Sequence, residues 1–175
     1  MTIPRNLSIL AEGASSSGVL SAANGGTGQN SLTSLTLPTA TLTQPSITTV
    51  LETATISATA ATGTINFDVL TQVVLYYTTN ASANFTVNFR GNSSTTLNTS
   101  MATNQSLSAT FLVTNGATPY YNSAVTIDGT AVTPKWQGGS APTSGDASSV
   151  DSYTYVIIKT AANTYSVFAS VTKFA

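Results

Sequence analysis

The chain has 175 residues, of which only 6% are charged, and a net charge of −1, whereas charged side chains make up about 25% of an ordinary soluble domain. Its cations, Arg5, Arg90, Lys135, Lys159 and Lys173, stand singly, so no basic cluster is available to displace counterions and a nucleic-acid partner is excluded; with neither Cys nor His, disulfides, thiol chemistry and histidine-based zinc sites are excluded as well. No apolar run approaches the ~20 residues of a membrane-spanning helix, no membrane partner is expected, and solubility falls to the neutral hydroxyls and amides of a chain that is about a third Thr and Ser.

Residues 1–30 read as an arm. Pro4 sets a boundary, Asn6 can cap a short helical turn through Leu7, Ile9 and Leu10, and Gly13 can end it. A helix that short does not hold in water without a neighbour. The stretches SSSG and NGGTGQ then interrupt regular structure. One Arg with no sustained apolar stretch behind it does not make a signal peptide. Residues 31–52, rich in Thr and Leu and broken by Pro38 and Pro45, read as an extended linker lying along a partner subunit.

From Thr53 to the end, residues 53–175, a period of two emerges, and the branched Cβ of so many Thr suits a pleated surface. Ile65, Phe67 and Val69 alternate with Thr64, Asn66 and Asp68. Gln72 to Tyr77 is a nearly continuous apolar run, which suits a strand buried on both faces. Phe85, Val87 and Phe89 alternate with Asn84, Thr86 and Asn88; Leu107, Ala109, Phe111 and Val113 alternate with Ser108, Thr110 and Thr114, with Leu112 out of phase. Val125 and Ile127 lead into Asp128-Gly129, the two-residue hairpin signal. Tyr153 to Ile158 is a second apolar run, and Tyr165, Val167, Ala169 and Val171 form a last alternating strand in which Phe168 is the exception and is assigned to a second subunit. Turn-forming clusters follow Gly91, Asn115 and Gln137. Roughly eight short strands predict an all-β fold, an antiparallel β-sandwich or jelly-roll-like domain with an extended N-terminal arm. No internal repeat of 20–50 residues marks a solenoid or propeller.

Few residues could carry chemistry. Glycoside hydrolysis needs two carboxyl groups facing each other. Asp146 and Asp151 lie close in sequence, but in or beside a Gly/Ser/Ala turn, while Asp128 belongs to its hairpin and Asp68 to the polar face of a strand. The segment SGDASSVDS offers oxygens to a calcium ion without the spacing of an EF-hand loop, and reads as a solvated turn. NGGTGQ lacks the Lys-Ser/Thr of a phosphate-binding loop. No catalytic, cofactor-binding or metal-binding residue is therefore assigned, and no cofactor is expected. Tyr120, Tyr121 and Trp136 lie near loops, where aromatic rings can stack on the apolar faces of sugars or fill the core; they are the candidate receptor-binding residues.

Two stretches carry a resemblance. PRNLSILAEGASSSGVLSAANGGTGQ resembles the amino-terminal region of tail-fibre-like phage proteins, in which a Leu-Ala segment and small residues lead to a GGTG motif. TINFDVLTQVVLYYTTNASANFTVNFRGNSSTTLN, TIDGTAVTPKWQGGSAPTSGD and SYTYVIIKTAANTYSVFASVTKF are similar to carboxy-terminal domains of tail-fibre proteins of cyanophages and other aquatic phages, PKWQGG in its context being the more specific part. The resemblance implies a non-enzymatic virion protein, made in the host cytoplasm and carried on the particle. It implies a homotrimer whose arm docks on other virion proteins of the tail, baseplate or capsid, with the β domain outward, either as a host-contact module, with a surface glycan as its expected target, or as a spacer. The arm meets the β domain without long shaft repeats, which leaves three alternatives to a short tail or baseplate fibre: a head fibre, a capsid decoration protein, or a polysaccharide depolymerase.

Overall fold

The structure, a computed structural model, describes residues 51–175. The expected arm over 1–30, its short helix, and all but the last two residues of the linker over 31–52 lie outside the described residues.

Ten strands form two mixed sheets. They are β1 (Ala54–Ala60), β2 (Gly63–Asp68), β3 (Val74–Thr79), β4 (Phe85–Arg90), β5 (Ser106–Thr114), β6 (Asn122–Ile127), β7 (Thr130–Val132), β8 (Lys135–Trp136), β9 (Val150–Ala161) and β10 (Thr164–Phe174). A single helical turn, α1 (Leu97–Ser100), lies between β4 and β5. The six-stranded sheet has the order β1-β3-β5-β9-β10-β8, the four-stranded sheet β2-β4-β6-β7.

The all-β expectation holds, but the antiparallel one does not. From β1 to β6 the chain alternates between the sheets, so neighbours in each sheet run parallel: β1 with β3, β3 with β5, β2 with β4 and β4 with β6. Parallel neighbours need a crossover connection; here the strand of the opposite sheet serves as that crossover, where an α/β protein would use a helix. Successive rungs are offset by 20 and then 36 residues in the larger sheet, Ala54 facing Val74 and Val74 facing Thr110. The lengthening of the second rung hides the winding from any search for a fixed repeat. Only the last part is antiparallel: β5 with β9, β9 with β10, and the β6–β7 hairpin. In that hairpin Asp128 and Gly129 both take positive φ, 50° and 80°, as the Asp-Gly signal requires.

The core lies where inward positions of the two sheets meet. Phe85 of β4 packs on Phe111 of β5 with ring centroids 5.3 Å apart, and Phe89 packs edge-on against Tyr155 of β9 at 4.9 Å. Ile65, Phe67, Leu75, Val87, Val113, Val125, Ile127, Ile157 and Val167 complete it. The expected inward registers of Ile65 and Phe67, of Phe85, Val87 and Phe89, and of Ala109, Phe111 and Val113 are all observed. The run from Gln72 to Tyr77 is not buried on both faces: Leu75 is buried, while Val74 and Tyr76, which point the other way, are only half-buried. It belongs to the six-stranded sheet, one face of which is open.

α1 is fixed by side chains rather than by its own length. Thr96 caps it by accepting from the Thr99 amide at 3.1 Å. Both Asp128 carboxylate oxygens accept from its first amides, Leu97 N at 2.7 Å and Asn98 N at 3.0 Å. At the other end the buried Lys159 of β9 donates through Nζ to the carbonyls of Asn98 at 2.6 Å and Met101 at 2.8 Å. Amides at a helix start and carbonyls at its end lack partners within the helix, and this turn borrows an anion from the β6–β7 turn and a cation from β9 to supply them.

Candidate functional site

Pro134 ends the β7 segment, and the next two residues, Lys135 and Trp136, join the edge of the six-stranded sheet beside β10. This short β8 is paired through Phe168 with Lys135 and Ala169 with Trp136. Alternation therefore sends the two side chains to opposite faces. Lys135 lies over the outer ring of Phe168 at 5.4 Å. Trp136 turns inward, edge-on to Tyr153 at 6.4 Å and to Tyr155 at 6.3 Å.

A crevice of about 600 Å³ opens where the β6–β7 hairpin faces β8 and the loop that follows it. Trp136, Val125, Val132, Pro134 and Pro142 give it an apolar lining, and Asn122, Ser123 and Thr133 add amide and hydroxyl groups. Its size falls within the range of small-ligand sites, about 300–1,000 Å³. The wall is braced from beneath. Asn122 donates its backbone amide to the Tyr153 hydroxyl at 3.2 Å, accepts from the Tyr155 hydroxyl at 3.2 Å, and donates through Nδ2 to the carbonyls of Phe85 and Ala124. Burial raises both tyrosine pKa values well above the ordinary phenol range, so both hydroxyls stay protonated well into the alkaline range.

Of the three aromatic candidates, the structure puts Trp136 in this crevice and brings neither tyrosine into its lining. Tyr120 donates its amide to Asn115 Oδ1 at 3.0 Å, and Tyr121 donates its amide to Asn84 Oδ1 at 3.2 Å while its carbonyl accepts from Phe85. Both are half-buried and anchor the entry into β6. The crevice itself was not legible in the sequence, because Val125, Val132 and Trp136 meet only once the chain has changed sheets.

Asp146 and Asp151 prove different in kind. Asp151, expected beside a solvated turn, opens β9 and is fully buried. Its Oδ2 accepts from Asn115 Nδ2 at 3.0 Å and from the Asp146 amide at 3.1 Å, while Oδ1 has no partner within the described residues. Desolvation raises its pKa, and the Asp146 amide and the charge of Lys173 oppose that rise. The carboxylate thus acts as a clasp between the Asn115 loop and the loop that enters β9. Among the described residues no group of three or more carboxylates gathers to hold a metal ion.

No protein-family model, no curated protein and no solved structure matches this chain.

Proposed function

We propose that this chain is a structural, non-enzymatic protein of a bacteriophage particle: a short tail or baseplate appendage, trimeric, docked through residues 1–30, with its β domain turned outward as a jelly-roll-like sandwich that contacts a neutral glycan of the host surface. The observation that carries the contact is the crevice between the hairpin and β8, lined by Trp136 of β8, whose ring is braced edge-on by Tyr153 and Tyr155. A rigid aromatic ring among hydroxyls and amides suits the apolar face and the hydroxyl edge of a sugar ring. A weak contact of this kind gains from being repeated on one particle.

Two experiments test the reading. Gold-labelled antibody against the β domain, applied to intact particles, is expected to mark the tail or baseplate; label on the head moves the protein to the head-fibre or decoration class, and particles without label remove the virion reading altogether. Retention of the purified chain on immobilised host polysaccharide is expected to fall at least ~10-fold in Trp136→Ala. Equal retention of the two proteins would sink the crevice as the contact site.

A further inference from the structure

Apart from irregularities between Ser57 and Ala60 and between Thr164 and Tyr165, the strands of the six-stranded sheet alternate, so the side chains that do not enter the core share one outer face. Register places them in rows: Ile56 beside Tyr76 beside Leu112, and Ser108 beside Val156 beside Phe168 beside Lys135. Every outward position of β5, β9 and β10 is apolar or a hydroxyl. Among the described residues the only charge on this face is Lys135, at its β8 edge. Ile56 at 59%, Val156 at 37%, Phe168 at 43% and Phe174 at 54% exposure all lie here. The charges of the four-stranded sheet lie on that sheet's own outer side, where Asp68 and Arg90 pair.

We infer that this outer face is the surface on which copies of the chain meet; the inference rests on the oligomeric reading proposed above and gives it a place. Two arguments select a second copy as the occupant. The first is electrostatic: a partner bearing several charges would lose their hydration against a face with almost nothing to pair them, and another copy of the same face brings only Lys135, at its edge. The second is size. With six strands spaced about 4.8 Å apart and averaging about eight residues of ~3.3 Å each, the face measures roughly 750 Å². A standard stable interface buries about 800 Å² per partner. Leu112 and Phe168, apolar residues out of phase with their strands' inward pattern, are among the side chains such a contact would cover, with Ile56, Val156 and Ile158.

The experiment is the mass in solution, by light scattering across a wide concentration range, of the full chain and of three variants. Val156→Lys with Phe168→Lys puts two cations at the centre of the face. Val156→Thr with Phe168→Ser removes apolar surface with strand-compatible neutral residues. Thr64→Lys adds a charge to the exposed outer side of the other sheet. The expected result is an oligomeric parent, a folded monomer for the double lysine variant with dissociation raised at least ~100-fold, a smaller rise for the neutral variant, and no change for Thr64→Lys. Should the double lysine variant fail to fold by circular dichroism, the neutral variant decides, and an unchanged dissociation constant there rejects the face. An oligomeric parent whose mass none of the variants alters overturns this inference and leaves the trimer standing. A parent that stays monomeric overturns both.

Discussion

The outer faces of the two sheets are built from the same alternation and much the same residue types, yet they end in opposite states. On the four-stranded sheet the outward side chains bond to one another across the strands. Asn88 donates to Asn66 at 2.8 Å and accepts from the Thr126 hydroxyl at 2.8 Å and the Gly129 amide at 2.9 Å. In the adjacent row Arg90 holds Asp68 at 2.6 Å. On the six-stranded sheet the same positions carry Ser and Thr interleaved with Ile56, Leu112, Val156, Ile158 and Phe168, and no amide ladder links them. A face that satisfies its own polar groups laterally offers little to a partner. A face of hydroxyls and apolar groups exposes surface that gains by being covered.

Breaking the ladder has the largest expected effect. Asn88→Ala removes the acceptor of both Thr126 and Gly129 and the donor to Asn66, at a position only 7% exposed. Leaving those groups unpaired costs about 2–3 kcal/mol, measured as a lowered urea midpoint at unchanged slope. A loss under about 0.5 kcal/mol would show that the ladder only decorates the sheet.

Between the sheets lies a buried carboxyl, and its titration sharpens the contrast. The pKa of Asp151 is raised by burial from its ordinary 3.8. Below that value both folded and unfolded chains hold the proton. As pH rises past it the unfolded carboxyl ionises first, so this group's contribution to stability declines until pH passes the raised folded value. Asp151→Asn can keep an acceptor for Asn115 and Asp146 while removing the charge. The difference in Tm, variant minus parent, is therefore expected to grow as pH rises through that window and then level off. A difference independent of pH would mean that Asp151 folds without a titration penalty. On the alkaline side, the raised pKa values of Tyr153 and Tyr155 imply stability lost above about pH 10, where unfolded tyrosines ionise first.

Which residues face inward was legible because it is local. Ile65 and Phe67, or Phe85, Val87 and Phe89, announce a buried face within a few residues, and Asp128-Gly129 announces its turn within two. Which strand lies beside which was not, because alternation fixes the face of a side chain and says nothing about the neighbour. Hence an antiparallel sandwich is expected, whereas β1, β3 and β5 pair in parallel, β1 being a strand that the alternation does not single out. β8 is two residues long and shows no period at all. Asp151 resembles a turn residue until Asn115, 36 positions away, is brought to it. Trp136 was singled out by its chemistry, while the crevice that gives it a role depends on a change of sheet. Phe168 was the most informative exception: an apolar residue out of phase in an otherwise regular strand marks an outer face with unfinished burial.

The smaller effects test whether each face behaves as its chemistry implies. Asp68→Asn breaks an ion pair whose side chains are 26–27% exposed, so solvent screening limits the cost to about 0.5 kcal/mol, shrinking further in high salt. Val156→Thr should do less still to an isolated chain, within about 0.5 kcal/mol, because the residue is partly exposed, Thr keeps the branched Cβ that a strand favours, and no hydrogen bond is lost. The informative measurement is the same substitution at rising protein concentration. If the outer face of the six-stranded sheet is covered in an assembly, the parent's Tm climbs with concentration and that of Val156→Thr climbs less, since mass action transmits the lost contact to the folded state. If both melting curves ignore concentration, the face is exposed in solution, and the difference between the two sheets is one of composition alone.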